Sequence, residues 1–170
     1  YVGRLDNKKG VDILIKVFNK IGKKLKRKLV IVGGSAIGNS SHGGKSLEEY
    51  KKMADKDLIK FEGWVEPSLV PYYFKNAYFS VFPSRHEPFG LVGIESMASG
   101  TPIIASSGGF EEVLSETKAG IFFKPESEED LEKILLKVDK NPKIRSLLAK
   151  KTLPGATLYD WGKISLKYLE

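Results

Sequence analysis

Apolar residues along this chain alternate between two rhythms: short continuous runs of the kind buried strands need, and stripes at helical spacing. Val11, Leu14, Ile15 and Phe18 form the first stripe, one face of a helix. "KLVIVGG" follows as a β-branched run ended by paired glycines, then "SAIGNSSHGGKS" as a polar, glycine-rich loop. Ser46 with Glu49 reads as a capping box opening the next helix. "LIKFEGWV" is a strand and its turn, and "PSLVPYYFKNA" a helix with Pro67 near its start and Pro71 inside its pattern. "YFSVFPS" is a strand stopped by Pro83, followed by a helix over Gly90–Ser99 that Gly100 closes. "TPIIAS", "GFEEVLSE" and "AGIFFKP" continue the alternation as strand, short helix and strand. Ser127 and Asp130 suggest a second capping box, ahead of the stripe Leu131, Ile134, Leu135 and Val138. The remainder reads as two or three helices with a break at "LPGA".

Strands alternating with helices, most strands apolar on both faces, predict an α/β fold: a doubly wound parallel sheet, Rossmann-like. Ligands of such sheets bind beyond the carboxyl ends of the strands, where the strand order switches. That rule places "GRLDNKKG", "GGSAIG", "GWVEP" and "SRHEPFG" around one crevice. The 170 residues are one domain's worth of chain, 1–170. The opening "YVGRL" reads as the end of a buried strand, which fits a piece of a longer, two-domain protein.

Composition narrows the chemistry. With no cysteine, disulfides, thiolate nucleophiles and cysteine-ligated zinc are excluded from this chain. Only His42 and His86 are present, far apart, so a multi-histidine metal site is not expected. A net charge of +7 favours anionic partners. The densest basic run, Lys20–Lys28, could meet phospholipid headgroups or RNA. Without interleaved aromatics it fits better as a solvated helix end whose cations offset the macrodipole.

The stretch "PSRHEPFGLVGIESMASG" carries the most specific chemistry. A strand ends at Phe82 and a helix begins near Gly90, so the backbone N–H groups of Phe89, Gly90 and Leu91 form an anion-friendly helix end. Glycine lets a phosphate approach the backbone, although it also simply suits a sharp turn. Glu95, about one and a half turns into the helix, could accept two sugar hydroxyls, or be an ordinary surface glutamate. Glu87, at the crevice mouth, could hold a sugar hydroxyl, stabilise charge at an anomeric carbon, or pair with Arg85. Arg4 and Lys9 bracket the loop leaving the first strand, and a guanidinium fork with a lysine point charge suits a diphosphate.

In order, "GRLDNKKGVDILI", "VIVGG", "FEGWV", "VFPSRHEPFGLVGIESMASGTPIIAS", "GGFEEV" and "AGIFFKPESEEDL" resemble the C-terminal half of retaining GT-B glycosyltransferases, above all glycosyltransferase family 4, the group 1 transferases. The likeness spans nearly the whole chain, down to "YDWGKISLKYLE". It implies a donor-binding domain that serves transfer of a sugar, as a hexosyltransferase, from a nucleotide diphosphate sugar to an acceptor hydroxyl, with no cofactor and no metal. Arg4 and Lys9 match the family's diphosphate pair. Phe89, Gly90 and Leu91 match the turn whose amides contact donor phosphate or sugar, and Glu95 the glutamate on the ribose. Glu87 matches the glutamate held to assist catalysis, and Val65 the stretch that meets the nucleobase. The acceptor would be bound mainly by the other half of the fold, without which this half would be inactive. The resemblance implies a cytoplasmic protein, with peripheral contact at the cytoplasmic membrane face left open, and no nucleic-acid partner. The loop after "VGG" is longer than usual, so contacts there are not carried over: His42 is either a donor contact or, the favoured reading, a loop residue, and His86 receives no role. Rival readings are a nucleotide-sugar epimerase or sugar phosphorylase on the same scaffold, and a basic module binding RNA or anionic lipid.

Overall fold

The computed structural model describes residues 1–34 and 45–166. The loop reading for His42 lies outside the described residues. All described strand pairs are parallel. β1 (Leu29–Val32) pairs with β2 (Ile59–Gly63), and β4 (Ile103–Ser106) lies between β3 (Ser80–Phe82) and β5 (Gly120–Phe123). The N-terminal segment runs parallel to β1: Val2 bridges Val32, and the Tyr1 amino group donates to the Val30 carbonyl at 2.9 Å. The Tyr1 ring meets Phe82 at a centroid distance of 6.4 Å, so this segment sits between the two groups of strands.

Every residue of β4 is buried, which requires cover on both faces of the sheet. The helices that follow the strands supply it. α1 (Val11–Leu25) packs against α6 (Glu128–Lys140), while α4 (Leu91–Ala98) and α5 (Glu111–Thr117) pack against α7 (Pro142–Ala156). Both predicted stripes are core: Val11, Leu14, Ile15 and Phe18 from α1, and Leu131, Ile134, Leu135 and Val138 from α6. The doubly wound, Rossmann-like reading holds.

Local chemistry explains the boundaries, including three that differ from expectation. The capping box at Ser46 forms in full: Ser46 Oγ accepts from the Glu49 N–H at 3.2 Å, and the Glu49 carboxylate accepts from the Ser46 N–H at 2.7 Å. At Ser127 only half forms, because Asp130 turns instead to the Lys124 N–H at 2.7 Å. "PSLVPYYFKNA" is not one helix. A 3₁₀ turn spans Pro67–Leu69, and Pro71 sits in the first turn of α3 (Val70–Lys75), where its missing N–H costs nothing. The expected break at "LPGA" is absent, since α7 runs through Pro154 to Ala156. Packing on α4 and α5 overrides the proline's local cost, and Gly155 allows the close approach, because a Cβ there would meet Thr117 Cβ at 2.7 Å.

Candidate functional site

Two loops at the carboxyl ends of the strands meet face to face. The first leaves Tyr1–Gly3 and forms a 3₁₀ turn over Asn7–Lys9. Asp6 builds it, its carboxylate accepting from the Lys9 N–H at 3.2 Å, and Gly10 ends it in the left-handed region at φ 63°. Nothing larger than glycine fits at position 10, because a Cβ would fall on the Pro83 carbonyl of the second loop. That loop runs from Pro83 to Gly90 and carries Glu87.

The contact between them is an ion pair, Lys9 Nζ to Glu87 Oε2 at 2.5 Å, with side chains only 16% and 11% exposed. The alternative considered for Glu87, a pairing with Arg85, is not formed. Arg85 instead makes a bidentate pair with Asp12, both distances 2.9 Å, and its Nε donates to Glu126 at 2.9 Å. Bidentate geometry explains the choice: a planar fork fits one carboxylate with two parallel bonds, leaving Glu87 for the ammonium of Lys9. The Asp12 pair and the Glu126 hydrogen bond raise the guanidinium pKa above its ordinary value. Burial alone would raise Asp12, but the hydrogen bonds and charge of Arg85 outweigh it and hold the carboxyl below its usual range.

Gly90 opens α4 in the left-handed region at φ 88°, with no side chain capping the helix. The Gly93 N–H donates to the Gly90 carbonyl at 2.8 Å, while the Leu91 and Val92 N–H groups precede the first carbonyl of the helical ladder and face outward from the helix start. Phe110 fixes this turn from below. It is fully buried, stacked on Phe82 at 5.3 Å, and a Cβ at position 90 would come within 2.7 Å of its ring. From the other side Tyr159 meets Phe89 edge-on at 5.7 Å.

Lys9, Glu87, Phe89, Gly90 and Leu91, with Arg4, line one cavity of about 340 Å³. Arg4 is 69% exposed and lies 3.6 Å from Asp6, and it also borders a second cavity of about 750 Å³ that reaches Trp64, Val65 and Glu95. All eight predicted site residues thus fall on two cavities that share Val2, Gly3 and Arg4. A third, about 560 Å³, opens between Val30 and Val81 and contains none of them. Among the described residues the Glu95 carboxylate has no hydrogen-bond or ion-pair partner, and partial burial pushes its pKa up. No group of three or more potential metal-ligating His, Cys, Asp or Glu side chains occurs among the described residues.

The sequence profile described as glycosyl transferases group 1 matches residues 1–152. This chain belongs to the group 1 glycosyltransferases. It is 33% identical to an uncharacterized glycosyltransferase of Methanocaldococcus jannaschii over 77% of its own length and 33% of that protein. It is 30% identical to the mannosylfructose-phosphate synthase of Agrobacterium fabrum over 99% of its length and 38% of that enzyme. Among solved structures, sucrose-phosphate synthase from Thermosynechococcus elongatus superposes with a TM-score of 0.81 at 27% identity, covering 98% of this chain and 43% of that one. Anabaena HepE, solved with UDP and glucose, shares the fold with a TM-score of 0.77 at 20% identity, over 92% of this chain and 43% of HepE. The fold is thus the Rossmann-like half of a GT-B glycosyltransferase, and the chain spans less than half the length of these relatives.

Three features of this group 1 domain were not legible beforehand: the Asp6 turn, the Arg85–Asp12 pair and Trp64 on the second cavity. Asp6 carried a usable signal, an aspartate three residues before Lys9 in a short polar run that Gly10 ends. The other two depend on contacts far apart in sequence.

Proposed function

We propose that this chain is the donor-binding domain, residues 1–170, of a retaining hexosyltransferase that moves a sugar from a nucleotide diphosphate sugar to an acceptor hydroxyl. The observation that carries this reading is the meeting of two cations, Arg4 and Lys9, and the uncapped start of α4 around one cavity. Positive groups fixed there would bind the diphosphate and stabilise the charge that grows as it leaves, without a metal. Glu95 and Val65 share the adjoining cavity, which suits a ribose on the carboxylate and a base beyond it. Glu87 lies on the diphosphate cavity, where it would face the transferred sugar at its anomeric carbon.

The relatives support a sugar donor of this kind. One is a mannosylfructose-phosphate synthase, and the structurally similar HepE was solved with UDP and glucose. The acceptor would be bound by a further domain of the GT-B type, on which transfer depends. No described helix is long and apolar enough to cross a membrane. The proposal takes the protein as cytoplasmic, with any membrane contact peripheral, as the family resemblance implies.

Calorimetric titration with UDP, GDP and ADP, and with their glucose and mannose conjugates, tests the assignment. One nucleotide should bind, with Arg4→Ala or Lys9→Ala weakening it at least tenfold. Unchanged affinity in both variants would remove the diphosphate from this cavity.

A further inference from the structure

Arg85 touches neither cavity, yet it joins four segments. Its guanidinium donates to the Asn7 carbonyl at 2.7 Å, to both Asp12 oxygens, and through Nε to Glu126. Its backbone N–H donates to the Lys8 carbonyl at 2.7 Å, and the His86 N–H reaches the same oxygen at 3.3 Å. The 3₁₀ turn bearing Lys9, the start of α1, the β5–α6 loop and the loop bearing Glu87 are thus held by one residue. Glu126 itself is left-handed at φ 58°, a conformation a non-glycine residue keeps only when its surroundings fix it.

We propose that Arg85 is a positioning residue of the donor site, which sets the separation of Lys9 and Glu87 by clamping their two loops together. Each loop approaches the other through backbone alone at Gly10 and Pro83, a contact that excludes overlap but does not pull the loops together. The Arg85 and His86 N–H groups on the Lys8 carbonyl tether the loop backbones, and the Arg85 fork adds the side-chain attraction that ties them to α1 and the β5–α6 loop. A lysine in its place would keep the charge but lose the planar geometry that reaches Asn7, Asp12 and Glu126 at once. The inference rests on the donor-site reading for its functional consequence, but the geometry can be read with no nucleotide present.

The test is zero-length carbodiimide cross-linking of the chain, quantified by mass spectrometry. The chemistry condenses Lys9 Nζ with the Glu87 carboxyl, losing water, only while the two stay in contact. Lys16–Glu128, at 3.0 Å on the α1–α6 seam, serves as the internal standard for an intact fold. Arg85→Lys and Asp12→Asn should each lower the Lys9–Glu87 link at least fivefold while Lys16–Glu128 is unchanged. Glu126→Gln, at an exposed position, should lower it about twofold. A yield that stays at the wild-type level in every variant retaining the Lys16–Glu128 link would overturn the proposal, and Glu126→Gln decides it if the other two fail to fold.

Adding UDP, GDP or ADP to the wild type separates the two ideas. A fall in the Lys9–Glu87 cross-link with Lys16–Glu128 unchanged speaks for a diphosphate taking Lys9, and an unchanged yield speaks against that binding while leaving the clamp result standing. In the full-length enzyme, a clamp that acts on Glu87 as well as on binding should lower kcat at least tenfold in Arg85→Lys. A kcat at the wild-type level would overturn the positioning role.

Discussion

The ammonium of Lys9 lies 2.5 Å from the Glu87 carboxylate, so the cation assigned to the diphosphate is already paired with the carboxylate assigned to catalysis. A diphosphate entering this cavity must share Lys9 with Glu87 or take it. Lys9→Ala should therefore weaken nucleotide diphosphate binding more than Arg4→Ala does, because it also leaves Glu87 as an unpaired negative charge facing the phosphates. In the double variant Lys9→Ala/Glu87→Gln part of that loss should return. A double-mutant cycle by calorimetry measures this, and a coupling within about 0.5 kcal/mol of zero would show that the two residues act independently.

Glu95 should trade stability for binding. Its carboxyl is raised by partial burial and has no partner among the described residues, so ionising it costs the folded state something that the unfolded chain does not pay. That cost is present at neutral pH and disappears as pH falls through the raised folded value. Glu95→Gln should then melt higher than wild type at pH 7 and lose this advantage in acid, while binding the nucleotide more weakly. Melting curves at several pH values check it, and a variant less stable at pH 7 would contradict it.

Asp12 has the opposite sign. Its folded pKa is held below the ordinary value, so its pairing with Arg85 stabilises the fold above the unfolded pKa and is lost as pH falls through the folded one. Asp12→Asn should destabilise the chain near neutrality and converge with wild type in strong acid. Denaturant unfolding at pH 7 and at successively lower pH values distinguishes this from a pH-independent packing loss.

Two glycines separate conformational cost from contact. Gly10 and Gly100 are both left-handed, at φ 63° and 80°, but a Cβ at position 100 meets nothing within 4 Å while one at position 10 strikes the Pro83 carbonyl. Gly100→Ala should cost about 1–2 kcal/mol from backbone strain alone. Gly10→Ala should cost roughly 2–4 kcal/mol and also weaken nucleotide binding by displacing the Lys9 turn. Equal destabilisation of the two in chemical denaturation would mean the loop contact is soft.

Phe110 supports Gly90 without lining the cavity shared by Lys9 and Glu87. Phe110→Ala should cost about 3–5 kcal/mol as a buried aromatic. Because the start of α4 would settle into the void, binding should fall as well, which parallel melting and titration experiments would show.

Much of the fold was legible because its signals are local. The stripes of α1 and α6, the capping box at Ser46 and the turn glycines each act within a few residues. The predicted helix break at Pro154 failed for the converse reason, since its cost is local and the packing that outweighs it is not. The site divides in the same way. Motif spacing brought Arg4, Lys9, Glu87 and Glu95 to one crevice, but the partner of Glu87 was not readable. That partner depends on which of two nearby cations another carboxylate captures, and Asp12 lies 73 residues from Arg85.

The ion pairs along the α1–α6 seam, Lys16–Glu128 and Arg27–Asp139, each join residues 112 apart in sequence, and Lys9–Glu87 joins residues 78 apart. Closing such long loops costs chain entropy before any contact offsets it. An emerging or refolding chain can therefore form its strand–helix units early, yet the proposed anion site waits until the loop bearing Glu87 and the start of α4 have met the first ten residues. On the donor-site proposal, a nucleotide bound there would favour the state in which this long loop has closed over every form in which it has not.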